Sequence, residues 1–268
     1  MARTLQNFNE ERTFGVEIEF TTATREEVAR LMNAKGVSAY VEGYNHSTKN
    51  HWKVITDSSC GYELVSPPLK GREGMEQLRK ACEALKEAGA KVDRRCGLHV
   101  HHDINDYNAK QIANIFAIYI KLETTIDTLV PNSRRANNNR FCGSLFAGTT
   151  QQNILNKLKE VNSLDDIKNI WHTRYVKVNF QSYVKYGTIE FRQHSGSTEF
   201  DKIYNWILLT QQIVDMAATP VQKTYKAEND NLQSMRNILR LIPAKGATDE
   251  IAEMFKWYRG RAKELAAA

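Results

Sequence analysis

At 268 residues, 41% hydrophobic and 25% charged, the chain has the balance of a soluble globular protein, enough for one large domain. No apolar run approaches the roughly 18 residues of a membrane span, and Met1–Asn7 lacks a signal-peptide core, so a cytoplasmic protein is expected. The net charge of +6 is mild and partly local, with Arg134, Arg135 and Arg140 close together and Lys256, Arg259, Arg261 and Lys263 near the C-terminus. Such a surface attracts anions, but no nucleic-acid motif accompanies it. Cys60, Cys82, Cys96 and Cys142 are widely spaced, with no Cys-x-x-Cys, and read as reduced thiols rather than a zinc site or a disulfide framework.

In chain order, alternation predicts a strand over 13–21, then a helix over 24–35 capped by Thr24 and closed by Gly36. Strands follow near 37–42, 51–56 and 61–65, separated by Gly, Asn, Asp and Ser. Pro67-Pro68 precedes a long amphipathic helix over 71–89, then a strand over 97–103 and a second long helix over 108–129. Residues 132–150 read as a loop, 151–170 as two short helices, and 174–184 and 187–194 as strands. Helices over 199–218, 230–241 and 247–264 complete the chain. The fold class is α+β, a mostly antiparallel sheet backed by helices in a single domain, with a helical C-terminal part from about 199.

Three of these strands share one pattern. Phe14, Val16, Ile18 and Phe20 fall on one face with Glu17 and Glu19 on the other; Leu98 and Val100 oppose His99 and His101; Ile189 and Phe191 oppose Glu190 and Arg192. Glu17 and Glu19 would stand roughly 6 to 7 Å apart and repel by roughly 2 to 2.5 kcal/mol at an effective dielectric of about 20. A face holding several carboxylates calls for a cation among them or for protonated carboxyls. Carboxylate oxygens with one or two imidazoles suit magnesium, with manganese an alternative. An ordinary solvated sheet face explains one Glu-x-Glu, and explains three such segments poorly.

Other residues have two readings each. Asp57 and Ser58 suit either an amine substrate or a turn. Lys53 suits a phosphate or plain solvation. Arg134–Arg140 suits a lid that clamps an acidic substrate, or a flexible surface loop. Arg174, Asn179 and Gln181 are expected on the strand before Glu190, with Arg174 as a further nucleotide contact and Asn179 toward the substrate. His102 falls on the apolar side and reads as a packing residue, and His194 extends the Glu190/Arg192 face. Trp171, Trp206 and Trp257 fit core packing better than base stacking.

Four segments, in order across about 180 residues, resemble the amidoligases of the glutamine synthetase and glutamate–cysteine ligase superfamily. They are Phe14-Gly15-Val16-Glu17-Ile18-Glu19-Phe20, Gly61-Tyr62-Glu63-Leu64-Val65-Ser66-Pro67-Pro68-Leu69, Gly97-Leu98-His99-Val100-His101 and Gly187-Thr188-Ile189-Glu190-Phe191-Arg192. The resemblance implies a curved, funnel-like sheet and an ATP- and Mg2+-dependent ligase that joins a carboxylate to an amine through an acyl phosphate. It implies metal ligation by Glu17, Glu19, Glu63, His99 and Glu190, and places His101 nearer the acid substrate or phosphate. Arg192 is implied to stabilise the transferred phosphoryl group, and Glu63 or His101 is positioned for acid–base work. The acid and the amine stay unidentified, a homo-oligomer is compatible with relatives that assemble through sheet edges, and a bacterial or phage origin fits a stand-alone member. Two other functions compete: a metal-dependent hydrolase using the same Glu/His set, which leaves Arg192 with less to do, and a basic nucleic-acid-binding protein, which leaves the carboxylates unexplained.

Overall fold

The computed structural model describes residues 9–218, 232, 235 and 250–267. The chain divides into two compact units: Glu10–His102 with His194–Ile207, and Asp103–Gln193 with Met1–Asn9 and Leu208–Ala268.

The strand-rich first unit carries β1 (Phe14–Phe20), α1 (Arg25–Ala34), β2 (Ala39–Val41), β3 (Trp52–Asp57), β4 (Gly61–Val65), α2 (Gly71–Glu87) and β5 (Leu98–Asp103). The strands lie in the order β2-β3-β4-β1-β5, antiparallel except for the β2–β3 pair. The alternation that predicted β1 suits a strand inside this run, between β4 and β5: Phe14, Val16, Ile18 and Phe20 are all buried. Thr24 caps α1 by accepting from the Glu27 amide at 3.3 Å. In α2, Met75, Leu78, Cys82 and Leu85 recur at helical spacing and are buried, each large aliphatic contributing roughly 1.5–3 kcal/mol. The two helices touch each other, and α1 also lies against β2 and β3.

One expectation fails here. Cys60 and Cys96 are not reduced thiols; they form a disulfide, with Cα atoms 5.2 Å apart. Both β4 and β5 run antiparallel to β1. Their first residues therefore lie beside the same end of β1, and the cysteine before each strand meets the other. Cys82 and Cys142 are buried free thiols; burial pushes the Cys82 thiol up to about 12.

The helix-rich second unit carries α3 (Ala109–Asp127), a 3-10 turn (Asn132–Arg134), α4 (Gln151–Glu160), α5 (Leu164–Lys168), β6 (Val178–Asn179), α6 (Gln181–Tyr186) and β7 (Thr188–Phe191). Beyond it in sequence, α7 (Phe200–Ala218) has residues in both units, and α8 (Glu250–Ala267) lies in the second. Asn108 and Gln111 form a reciprocal capping box at the start of α3. The expected helix over 230–241 lies almost wholly outside the described residues. No described helix is long and apolar enough to cross a membrane.

The strand expected over 174–184 contracts to Val178–Asn179. Side chains bend the chain out of it: Asn179 Oδ1 accepts from the Gln181 amide at 2.8 Å, and Ser182 Oγ donates to the Asn179 and Thr188 carbonyls. Residues 181–186 form α6 instead, closed by Gly187 at φ 68°. A Cβ at Gly187 would also clash with the Asn105 side chain. Gln181 thus opens a helix, and Arg174 precedes the strand.

Candidate active site

Register sets the chemistry of the β1 face. Glu17 stands opposite His99 on β5 and Val65 on β4, while Glu19 stands opposite Glu63. Ile55 on β3 faces Glu63, and Lys53 faces Val65, so Lys53 belongs to the same face. Glu17, Glu63 and His99 each present a ligand atom within 4.8 Å of the others, an arrangement able to hold a metal ion. His99 Nδ1 lies 2.9 Å from Glu17 Oε2, and His101 Nε2 lies 3.4 Å from Glu17 Oε1. Burial alone would raise the Glu17 pKa, but the His101 and His99 imidazoles facing its oxygens outweigh burial and hold the carboxyl well below the ordinary range.

The other expected residues of this unit are placed differently. Glu19 is turned aside: its Oε2 accepts from the Gly97 amide at 2.6 Å, and its Oε1 lies 3.8 Å from His99 Nε2. Lys53 is buried rather than solvated, and desolvation lowers the pKa of its ammonium. Its Nζ donates to the Asn45 carbonyl, Asn45 Oδ1 and the Ser47 carbonyl at 3.3, 3.2 and 2.9 Å, fastening the 45–47 loop. Asp57 holds a turn, its Oδ1 accepting from the Ser59 and Cys60 amides at 2.8 Å each and from Ser59 Oγ at 2.6 Å, while Ser58 is exposed. His102 is fully buried, and burial keeps its imidazole neutral far below the ordinary range.

In the second unit Glu190 and Arg192 form an ion pair, and Asn179 Nδ2 donates to Glu190 Oε2 at 2.7 Å. Arg192 Nε donates to the Phe141 carbonyl at 3.4 Å. The Arg134–Arg140 segment is neither a free loop nor uniformly exposed. Arg134 is buried, Arg135 Nε donates to the Val130 carbonyl at 2.9 Å, and the Ala136 amide donates to Asp127 Oδ2 at 2.9 Å. Arg140 stays exposed, its guanidinium 4.6 Å from the Phe141 ring centroid. Arg174 is also exposed, 5.2 Å from the Tyr175 ring.

Sequence reasoning missed a buried charge network in this unit. Lys177, wholly inaccessible, donates to Glu123 Oε1 at 2.8 Å and Asp127 Oδ1 at 2.6 Å. Gln193 Nε2 donates to Asp127 Oδ1 at 2.5 Å and to the Arg134 carbonyl at 3.1 Å, and Tyr119 donates to Gln193 Oε1. The Arg192 amide donates to the Lys177 carbonyl at 2.9 Å, so the network adjoins the strand that carries Arg192. The signal was legible: Glu123 and Asp127 are an i, i+4 acidic pair on a helix that is otherwise largely apolar, and need a cation.

A family profile described as "Putative amidoligase enzyme" matches residues 10–214. The chain belongs to this amidoligase family. No curated protein sequence matches it. Among solved structures it is similar to the ligase PafA in its complex with the prokaryotic ubiquitin-like protein Pup, at 10% identity and a TM-score of 0.45. That alignment covers 98% of this chain and 65% of PafA, so the chain spans just under two thirds of that relative's length.

Proposed function

We propose that the protein is an ATP- and Mg2+-dependent carboxylate–amine ligase that works through an acyl phosphate. The observation that carries this reading, beyond family membership, is the Glu17–Glu63–His99 cluster, whose ligand atoms lie within 4.8 Å of one another. Two carboxylate oxygens and one imidazole nitrogen fit magnesium or manganese, and Glu17, Glu63 and His99 would hold the ion. When bound, the ion supplies neutralisation of the nucleotide's phosphate charge.

The reaction joins two steps. The substrate carboxylate attacks the γ-phosphorus of ATP, the bond to the bridging oxygen breaks, and ADP leaves. The amine, as a free base, then attacks the acyl carbon, phosphate leaves, and the ammonium proton passes to a base. Arg192 offers a planar fork to phosphoryl oxygens. Its orientation is set by Glu190 and by the Phe141 carbonyl, and Asn179 in turn holds Glu190. His101, beside Glu17, is the proposed proton acceptor, because its neighbour is a carboxylate that stays ionised.

Calorimetry of ATP binding with and without Mg2+, on the wild type, Glu63→Gln and Glu190→Gln, tests the proposal. Magnesium-dependent binding that either substitution weakens at least tenfold supports it. ATP-independent hydrolysis by a zinc-loaded protein would overturn it in favour of a metal-dependent hydrolase.

A further inference from the structure

Two segments of the second unit meet at Gly143 and Val176. The Gly143 amide donates to the Tyr175 carbonyl and the Lys177 amide to the Gly143 carbonyl, both at 2.9 Å. This pairing sets Phe141 against Tyr175, ring centroids 5.6 Å apart and planes at 68°. Each ring carries its neighbour's guanidinium: Arg140 lies 4.6 Å from Phe141 and Arg174 lies 5.2 Å from Tyr175. Arg192 Nε donates to the Phe141 carbonyl at 3.4 Å. The charge gathered here is felt at the Tyr175 hydroxyl, whose pKa is lowered first by Arg174 and further by Arg192 and Arg140.

Several surface arginines are matched by acids, Arg30 with Glu27, Arg79 with Glu76 and Glu83, and Arg95 with Asp93, while Arg94 and Arg259 are exposed without an ion pair among the described residues. Among the described residues, no carboxylate pairs with Arg140 or Arg174. Both are exposed, as is Tyr175 at 41%. Arg174 Nη2 also donates to the Tyr175 hydroxyl at 3.5 Å, and a guanidinium has further N–H groups in one plane with which to grip a carboxylate through two bonds. With guanidinium already lying over each ring, the pair offers oxyanion forks rather than a platform for stacking a base.

We propose that Arg140, Phe141, Arg174 and Tyr175 form a subsite for the acid substrate, and that this substrate is an acidic peptide segment with carboxylates beside the one that is activated. The subsite rests on the ligase reading for its role in turnover, and it assigns Arg174 to the acid substrate instead of the nucleotide. Two guanidiniums beside a pair of rings in contact offer two forks, which favours a chain bearing more than one carboxylate over a lone amino acid.

The test measures fluorescence anisotropy of a fluorescein-labelled hexaglutamate peptide and its hexaglutamine counterpart with the full chain at low ionic strength. The wild type is expected to bind hexaglutamate at least about tenfold more tightly than hexaglutamine, roughly 1.4 kcal/mol. Arg140→Gln/Arg174→Gln should remove that preference, while Arg140→Lys/Arg174→Lys keeps part of it, since charge without the fork is the weaker grip. Magnesium–ATP affinity, followed by calorimetry, should stay within about twofold in both double variants. Hexaglutamate binding that is absent, or unaltered by the Gln substitutions, overturns the subsite, as does a parallel loss of ATP affinity. An oligothymidylate that binds more tightly through the same two arginines would overturn it in favour of nucleic acid. A wild type that grips hexaglutamate through these arginines yet fails to bind ATP sinks the ligase reading and leaves the subsite standing.

Discussion

Replacing Lys177 by methionine removes the only charge-bearing end of a side chain that is wholly inaccessible and joined to Glu123 and Asp127. The two carboxylates are not equally stranded. Asp127 keeps the Ala136 amide, Gln193 and some exposure, 14% of its side chain. Glu123 is 1% exposed and keeps the Leu145 amide at 3.1 Å. An unbalanced buried charge costs about 3–5 kcal/mol, so Lys177→Met should lose that much at pH 7. With a urea dependence of roughly 3 kcal/mol per molar, the midpoint falls by about 1 to 1.7 M, followed by circular dichroism. Adding Glu123→Gln removes the charge and should restore part of the loss. Acid should also help: burial already raises the Glu123 pKa. Without Lys177 the folded state takes up a proton at a higher pH than the unfolded chain, and the deficit shrinks as pH falls through that value, by at most about 1.4 kcal/mol per unit. A Lys177→Met protein with wild-type stability, or a double variant less stable than the single, would refute the reasoning.

Glu17→Gln should weaken Mn2+ binding, measured by electron paramagnetic resonance, at least about tenfold (roughly 1.4 kcal/mol) without shifting the urea midpoint downward; unchanged affinity would remove Glu17 from the site. Cys60→Ser/Cys96→Ser opens a link between residues 36 apart in sequence. On the chain-entropy account it should cost about 3 to 4 kcal/mol, and thermal unfolding of this variant and of the reduced wild type should agree. His102, held neutral by burial first and by Arg12 and His101 next, has a folded pKa well below 6.5. The unfolded chain takes up the proton first, so stability is present above about pH 6.5 and is lost as pH falls below it, by up to about 1.4 kcal/mol per unit. Urea midpoints of wild type and His102→Gln should converge as the solution is acidified; parallel profiles would contradict this.

Period-two patterns were the most legible feature. They predicted β1, β5 and β7, and with them the polar sides that carry Glu17, His99 and Glu190, because side-chain direction on a strand follows from position alone. Glu63 was implied by the family resemblance instead. The Thr24 cap and Gly36 marked α1 for the same local reason. Failures cluster where a distant partner decides. Cys60 and Cys96 meet only because β4 and β5 flank β1. Lys53 is buried because the 45–47 loop folds back onto it. The strand expected over 174–184 gave way to Asn179 and Ser182 bonding to nearby backbone, a competition that alternation cannot register.

The two acidic clusters show how one chain handles similar charge in different ways. On α3, Glu123 and Asp127 are balanced by Lys177, a cation built into the sequence and enclosed with them. On the β1 face Lys53 shares the side of Glu17, and its ammonium is engaged by the carbonyls of Asn45 and Ser47 and by Asn45 Oδ1. Against the Glu17 oxygens stand the imidazoles of His99 and His101. The cation that balances Glu123 and Asp127 is part of the chain, whereas the groups gathered around Glu17 are themselves able to ligate a metal. Uptake of an external cation is therefore favoured on the β1 face and disfavoured around Lys177. Metal ligands bind in their deprotonated forms, so acid should weaken Mn2+ binding at the Glu17 cluster of the wild type. An affinity that does not fall with acid would mean that these side chains do not hold the ion.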